Sequence, residues 1–112
     1  MPKFCDVMRR QGLCDARGAA FCATATRLPN GEVGVVALCV QGNTLSIYEM
    51  GTRHEPGALL YTVPLREIGD LYICMGQLRQ RLRFSFRGEL YVFSKFLGVR
   101  DALNVIKEEA SK

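Results

Sequence analysis

Long apolar runs and a leader-like N-terminus are both missing from this sequence. No stretch approaches the roughly 20 consecutive apolar residues that a membrane-spanning helix needs. Lys3, Arg9 and Arg10 stand near the start, but they do not frame the apolar segment of a signal peptide. We therefore expect a cytoplasmic protein. Its 112 residues, 48% hydrophobic and 23% charged, are typical of one globular domain.

Motifs for catalysis, metal binding and disulfide frameworks are missing as well. The sequence has no G-x-S-x-G, no glycine-rich phosphate loop and no evident carboxylate pair. Its five cysteines are widely spaced without a CxxC, so we expect free thiols in a reducing compartment. The single histidine, His54, lies in a polar loop beside Glu55, and two neighbouring side chains do not supply the ligands of a zinc site. We expect no enzyme activity, no metal and no cofactor.

Acidic residues are scarce in one part of the chain. Residues 79–100 contain six arginines and lysines but a single acid, Glu89. This local excess is typical of a surface that faces anions. The overall net charge of +4 is modest, and we therefore do not expect nucleic-acid binding.

What the sequence does contain, near its end, is a clear β-hairpin. Residues 79–87 alternate between apolar side chains and mostly arginines, the period of two of a half-buried strand. Arg87-Gly88 predicts a tight turn before a second strand over 89–96. A two-residue loop would pair Phe84 with Tyr91 and Leu82 with Phe93 on the inner face.

The rest of the chain predicts five more strands before the hairpin and one helix after it. Apolar content, alternation and turn residues place the strands at 19–28, 33–41, 44–50, 58–63 and 68–75. The helix, 99–110, is predicted from one apolar stripe: Val99, Ala102, Leu103, Ile106 and Ala110. Its charged residues, Glu109 among them, are expected on the opposite, solvent side. The fold class is therefore mainly β, a seven-stranded bent antiparallel sheet or open barrel capped by one C-terminal α-helix.

Residues 1–18 form an N-terminal extension to the domain at 19–112. Within it, residues 3–11 predict a short helix with Phe4, Val7 and Met8 on one face, ended by Gly12. A helix this short is marginal alone and needs a surface to pack against.

A family resemblance rests on residues 60–68, Leu-Tyr-Thr-Val-Pro-Leu-Arg-Glu-Ile, together with the final hairpin and helix. This segment resembles the strand–corner–strand connection of bacterial pleckstrin-homology-like domains of the PH/GRAM type, and the likeness covers roughly residues 19–110. It implies a non-catalytic module that binds lipid headgroups, peptides or proteins. Phosphoinositide-binding members carry basic residues around the first hairpin, where residues 27–32 here hold one base and one acid. We therefore do not expect a phosphoinositide ligand.

The candidate partner-binding residues are four arginines on the outer face of the hairpin: Arg79, Arg81, Arg83 and Arg87. Side chains at i and i+2 on one strand lie about 7 Å apart, so neighbouring guanidinium groups can act on one anionic surface. The expected partner is an acidic protein or an anionic membrane. The alternative interpretation is a solvated face that blocks edge pairing.

Two other functional hypotheses remain open on the sequence. Small residues leave room for a barrel that encloses an apolar small molecule: Ala19, Ala20, Ala23, Ala25, Gly34 and Ala37. The short N-terminal helix and any uncovered sheet edge are natural contact points for a homo-oligomer.

Overall fold

Seven antiparallel strands and one C-terminal helix make up the part of the chain that the computed structural model describes: residues 20–29, 31, 33–50, 56–75, 79–96 and 100–111. The strands are β1 (Ala20–Arg27), β2 (Gly34–Gln41), β3 (Thr44–Met50), β4 (Pro56–Pro64), β5 (Gly69–Met75), β6 (Gln80–Phe86) and β7 (Glu89–Ser94). The helix is α1 (Arg100–Ala110), and a 3-10 turn, Leu65–Glu67, joins β4 to β5. The predicted fold class is confirmed.

The strands form one open sheet in the order β4-β3-β2-β1-β7-β6-β5. β1 lies in the middle of the sheet, where it pairs with β2 on one side and with β7 on the other. Its pairing with β7 shifts between Ala25 and Arg27, an irregularity of the kind that bends a sheet. The Thr26 hydroxyl donates to the Val92 carbonyl there, at 3.3 Å.

The predicted hairpin is confirmed in its register. Phe84 pairs with Tyr91, and Leu82 pairs with Phe93. Arg87 and Gly88 both have positive φ, 53° and 78°, as a two-residue type I′ turn requires. β4 begins earlier than predicted, at Pro56 instead of residue 58. β4 is an edge strand, and on its outer side no neighbouring strand accepts a hydrogen bond from its backbone N–H groups. It therefore tolerates proline, which has no backbone N–H.

The core lies between the inner face of the bent sheet and α1. Its largest fully buried side chains include Phe84, Phe93 and Phe96. The ring of Phe96 meets Phe21 edge-on, with centroids 5.7 Å apart. Leu65, from the corner between β4 and β5, is fully buried, and its amide donates to the Asn43 carbonyl at 2.8 Å. That corner also packs on the helix.

The helix is amphipathic as predicted, with one correction. Ala102, Leu103 and Ile106 join the core. Glu109 was expected on the solvent side, and this is wrong, since it is only 6% exposed. It stands three residues after Ile106, and this spacing keeps it on the same stripe of the helix.

The small residues do not all line the interior, as the hypothesis of a hollow barrel assumed. Ala23 and Ala25 belong to the core, but Ala20 and Ala37 belong to a separate cluster on the other face of the sheet. Leu38 and Val40 are among the larger side chains that fill the interior beside the two core alanines. This packing gives the hypothesis no support.

Some predictions fall outside the described residues, namely the extension 1–18 with its helix 3–11, and His54. Within the described residues, none of the helical structure has the length and apolarity to cross a membrane.

Candidate anion-binding site

A surface depression of about 610 Å³ lies on the outer face of β5, β6 and β7. We call it the basic depression; its lining residues are Tyr72, Cys74, Arg79, Gln80, Arg81, Arg83, Ser94 and Lys95. Four of these eight side chains carry a positive charge. None of the described lining residues is acidic. The described lining of the depression is therefore a local concentration of cations without an acidic partner.

Strand pairing brings these side chains together. Arg81 on β6 stands between Cys74 on β5 and Ser94 on β7. One step along the same face, Arg83 stands between Tyr72 and Val92. Paired strands lie about 4.8 Å apart, so residues far apart in sequence share one surface.

Arg83 is held by the ring of Tyr72. Its guanidinium carbon lies 5.1 Å from the centre of the ring, a cation–π contact. Such a contact at an exposed site is worth about 0.5–1 kcal/mol. A guanidinium on a ring face still presents N–H donors along its edge, the arrangement that binds a carboxylate or phosphate through two bonds. Tyr72 thus orients Arg83 and leaves its donors available.

Lys95 is a member of the depression that the sequence did not predict. Strict alternation after Phe93 and Ser94 would turn Lys95 inward, yet it is exposed, and Phe96 is buried instead. The reason is the backbone of Lys95, which is left-handed with φ of 58°. The only signal in the sequence is the three-residue spacing of Phe93 and Phe96, which breaks the period of two.

The four predicted arginines do not all meet. Arg79, Arg81 and Arg83 line the depression, whereas Arg87 lies in the β6–β7 turn and does not. The guanidinium of Arg87 stacks on the ring of Phe86, at 5.0 Å from its centre. The site therefore consists of three predicted arginines with Lys95 in place of Arg87.

Cys74 joins the two ends of the connection between β5 and β6. Its thiol donates to the Arg79 carbonyl at 3.7 Å. This bond links the end of β5 to Arg79, the first of the four predicted arginines. The thiol contributes to the shape of the depression.

The comparison with solved structures identifies the fold. The chain is similar to the crystal structure of the pleckstrin homology domain of ArhGAP27, with a TM-score of 0.53 and 17% sequence identity. The match covers 82% of this chain and 93% of that one. No protein-family model matches the sequence, and neither does any curated protein. The chain thus has a fold like that of pleckstrin homology domains, with seven antiparallel strands in one open sheet and a single C-terminal helix.

Proposed function

We propose that this protein is a non-catalytic interaction module that binds an acidic segment of a protein partner in the basic depression. The observation that carries the proposal is the convergence of Arg79, Arg81, Arg83 and Lys95 on one depression with no acid among its described lining residues. The pleckstrin-homology-like fold supports a binding module, because domains of this fold generally bind partners and do not catalyse reactions.

Spacing favours an extended peptide as the ligand. Arg81 and Arg83 are two residues apart on one face of β6, which places them about 7 Å from each other. Carboxylates at alternate positions of an extended peptide repeat at the same interval. Each guanidinium can therefore meet its own carboxylate along such a peptide.

Shape favours a protein partner over an anionic membrane. The charges line a concave depression, and a flat lipid surface does not reach the floor of a depression as readily as a peptide does. Tyr72 is the only one of the described exposed large hydrophobic residues that lines it. Arg83 already covers the ring of Tyr72, so the site offers little apolar surface for the boundary between headgroups and acyl chains.

The test compares one binding variant with a matched control. Arg81→Glu/Arg83→Glu reverses two charges inside the depression. Arg66→Glu/Arg87→Glu reverses two exposed charges outside it, so the net charge of the two variants is identical. The probe is a fluorescein-labelled peptide of alternating Glu and Thr, and binding is followed by fluorescence anisotropy at low and high salt.

We expect salt-sensitive binding by the wild type. The Arg81→Glu/Arg83→Glu variant should bind about tenfold more weakly or worse, and the control should change by about twofold at most. Equal losses in both variants would show that net charge alone attracts the peptide. Binding to phosphatidylserine vesicles without binding to the peptide would assign the depression to a membrane. Self-association that the double reversal abolishes would make a second copy of the chain the acidic partner.

A further inference from the structure

β5 is one of the two edge strands of the sheet, and it carries part of the basic depression. Among the described residues, β5 pairs only with β6. Tyr72 and Cys74 of β5 line the depression. Across the strand pairing they face the two arginines in the middle of β6, Arg83 and Arg81. The open side of β5 therefore runs along the border of the depression.

The tight turn between β6 and β7 fixes which backbone groups face this open side. A β-turn joins the carbonyl of its first residue to the amide of its fourth, here Phe86 and Glu89, which are paired. Backbone groups alternate in direction along a strand, so Arg83, three residues before Phe86, directs its N–H and C=O toward β5. Its partner Tyr72 directs its own toward β6. The next residue, Ile73, therefore directs its N–H and C=O to the open edge.

An observed hydrogen bond supports this assignment. Val92 is the partner of Arg83 on β7, so the same alternation turns its carbonyl away from β6 and toward β1. The Thr26 hydroxyl of β1 donates to that carbonyl at 3.3 Å. The register of the hairpin thus agrees with an N–H and a C=O of Ile73 at the edge.

The two edge strands of the sheet differ in how they resist the addition of another strand. β4 begins at Pro56 and ends at Pro64, and proline has no N–H to offer a neighbour. Residues 71–75 of β5 contain neither proline nor a charged side chain, the two features that commonly protect an edge. The irregular pairing between Gly69 and Tyr72 limits the regular edge to residues 72–75. β5 therefore accepts a short added segment.

We propose that the acidic segment of the partner binds as an extra β-strand, antiparallel to residues 72–75 of β5. This inference rests on the proposed function and adds to it the binding mode and the sequence pattern of the ligand. All strand pairs of the described sheet are antiparallel, the arrangement that is the more stable per residue. Strand addition supplies backbone hydrogen bonds through Ile73, and the cations of the depression select the side chains.

The cations of the depression reach such a strand. An added strand lies about 4.8 Å from β5 and about 10 Å from β6. An arginine and a glutamate side chain together span the second distance. The guanidinium carbon of Arg83 already lies 5.1 Å from the centre of the Tyr72 ring, so it extends from β6 toward the edge strand. Ligand residues opposite Tyr72 and Cys74 point their side chains to this same outer face, and they are therefore the acidic positions.

The ligand position between the two acids is apolar. A residue opposite Ile73 turns its side chain to the inner side of the sheet. Ile73 and Leu71 are there, partly buried and packed against the core. An apolar side chain in this position extends the core at its margin, whereas a polar side chain loses hydration without gaining a partner. The ligand pattern is therefore acid–apolar–acid.

Methylation of backbone nitrogens in the ligand tests the added strand with wild-type protein. The parent probe is a fluorescein-labelled Glu-Val-Glu-Val-Glu peptide, and binding is followed by fluorescence anisotropy at low salt. One derivative is N-methylated at both valines, whose N–H groups face β5 in an antiparallel strand. Its matched control is N-methylated at the last two glutamates, whose N–H groups face solvent. We expect affinity to fall about tenfold or more for the valine derivative and about twofold at most for the control.

A second comparison tests the apolar positions. The peptide Glu-Thr-Glu-Thr-Glu has the same charge and nearly the same shape as the parent, with a hydroxyl in place of one methyl group of each valine. We expect the valine peptide to bind about threefold to tenfold more tightly. Equal affinities would overturn the apolar positions of the ligand pattern.

Amide hydrogen exchange followed by NMR locates the contact on the protein. We expect a saturating amount of the valine peptide to slow exchange of the Ile73 amide by about fivefold or more. The Tyr72 amide is the internal reference, because it is bonded to β6 with or without ligand, and its rate should change less. An unchanged Ile73 rate at saturation would overturn the added strand.

The outcomes separate this inference from the proposed function. Binding of the parent peptide with no loss on valine methylation would overturn the added strand and leave the proposed function standing. Equal losses in both methylated peptides would also overturn it, because the methyl groups would then act irrespective of backbone direction. A loss in the glutamate derivative alone would overturn the antiparallel direction. No binding of either unmethylated peptide would contradict the proposed function and this inference together.

Discussion

Two residues that are not glycine, one in the turn of the hairpin and one just after it, hold the backbone in the left-handed region. Arg87 has φ of 53° in the β6–β7 turn, and Lys95 has φ of 58° just after β7. This conformation costs an ordinary side chain about 1 kcal/mol, and asparagine tolerates it better. At Lys95 the same conformation turns a cation toward the basic depression, so stability and binding are in opposition at this position.

Lys95→Asn and Arg87→Asn form a matched pair that separates these two effects. Each substitution removes one positive charge and relieves one left-handed backbone. We expect each to raise the free energy of unfolding in urea by about 0.5–1 kcal/mol. Only Lys95→Asn should weaken binding of the acidic peptide, by about threefold to tenfold, because Arg87 lies outside the depression. Equal affinities of the two variants would remove Lys95 from the site.

The part of the site that could be predicted at this scale is the part that depends on the local alternation of residues. Alternation along β6 depends only on neighbouring residues, and it placed Arg81 and Arg83 on the exposed face, as the structure has them. Convergence with Lys95 depends on one reversed backbone angle and on strand pairing, which no local pattern contains. The separation of Arg87 has a similar cause, since the turn rotates its side chain onto Phe86.

At the scale of elements, α1 is the part of the fold that closes the core. Its buried stripe packs against the 3-10 corner at Leu65 and against β2. Ile106 is fully buried, so Ile106→Ala leaves a cavity that the sheet cannot fill. We expect a loss of about 2–5 kcal/mol in the free energy of unfolding, measured by chemical denaturation.

The control for this substitution is Asn104→Ala on the exposed side of the same helix, which should change stability by about 0.5 kcal/mol or less. Similar effects of the two substitutions would mean that the helix is not packed as the structure shows. Neither Ile106 nor Asn104 lines the basic depression. The folded Ile106→Ala protein should therefore still bind the acidic peptide.

The elements themselves were largely predictable because their boundaries are chemically marked. Gly42, Pro64 and Gly88 mark the ends of strands. The change from a period of two to helical spacing predicts α1. Glu109 was not predictable in this way. Its charge suggested solvent, while its place three residues after Ile106 put it on the buried stripe.

At the scale of the whole molecule, one bent sheet carries two separate outer surfaces. The separate cluster of Ala20, Ala37 and Cys39 belongs to β1 and β2, and the basic depression belongs to β5, β6 and β7. The two groups of strands meet at the irregular pairing of β1 with β7. The sequence predicted seven strands, but their order in the sheet and the two-sided burial of β2 depend on contacts between distant segments.

The response of the whole fold to alkaline pH follows from Tyr91. This side chain is 4% exposed, stacks on Phe84 with centroids 5.0 Å apart, and meets Tyr61 edge-on at 5.5 Å. Burial raises its pKa above the ordinary value of 10.0, Tyr61 and Glu89 raise it further, and Arg87 opposes them. Above the ordinary pKa the unfolded chain releases this proton while the folded protein retains it. The free energy of unfolding must therefore fall as pH rises through that range.

Tyr91→Phe tests this dependence, because it keeps the stacked ring and removes the titrating hydroxyl. We expect the wild type to lose more thermal stability than Tyr91→Phe between about pH 9 and pH 11, as measured by Tm. Tyr48 retains a similar dependence in both proteins, so the variant should reduce the loss without abolishing it. Tyr72→Phe removes a hydroxyl from a ring that is 46% exposed and serves as the control. Parallel losses in the wild type and Tyr91→Phe would show that the Tyr91 phenol is hydrated in the folded protein, which would contradict the closed core between the sheet and α1.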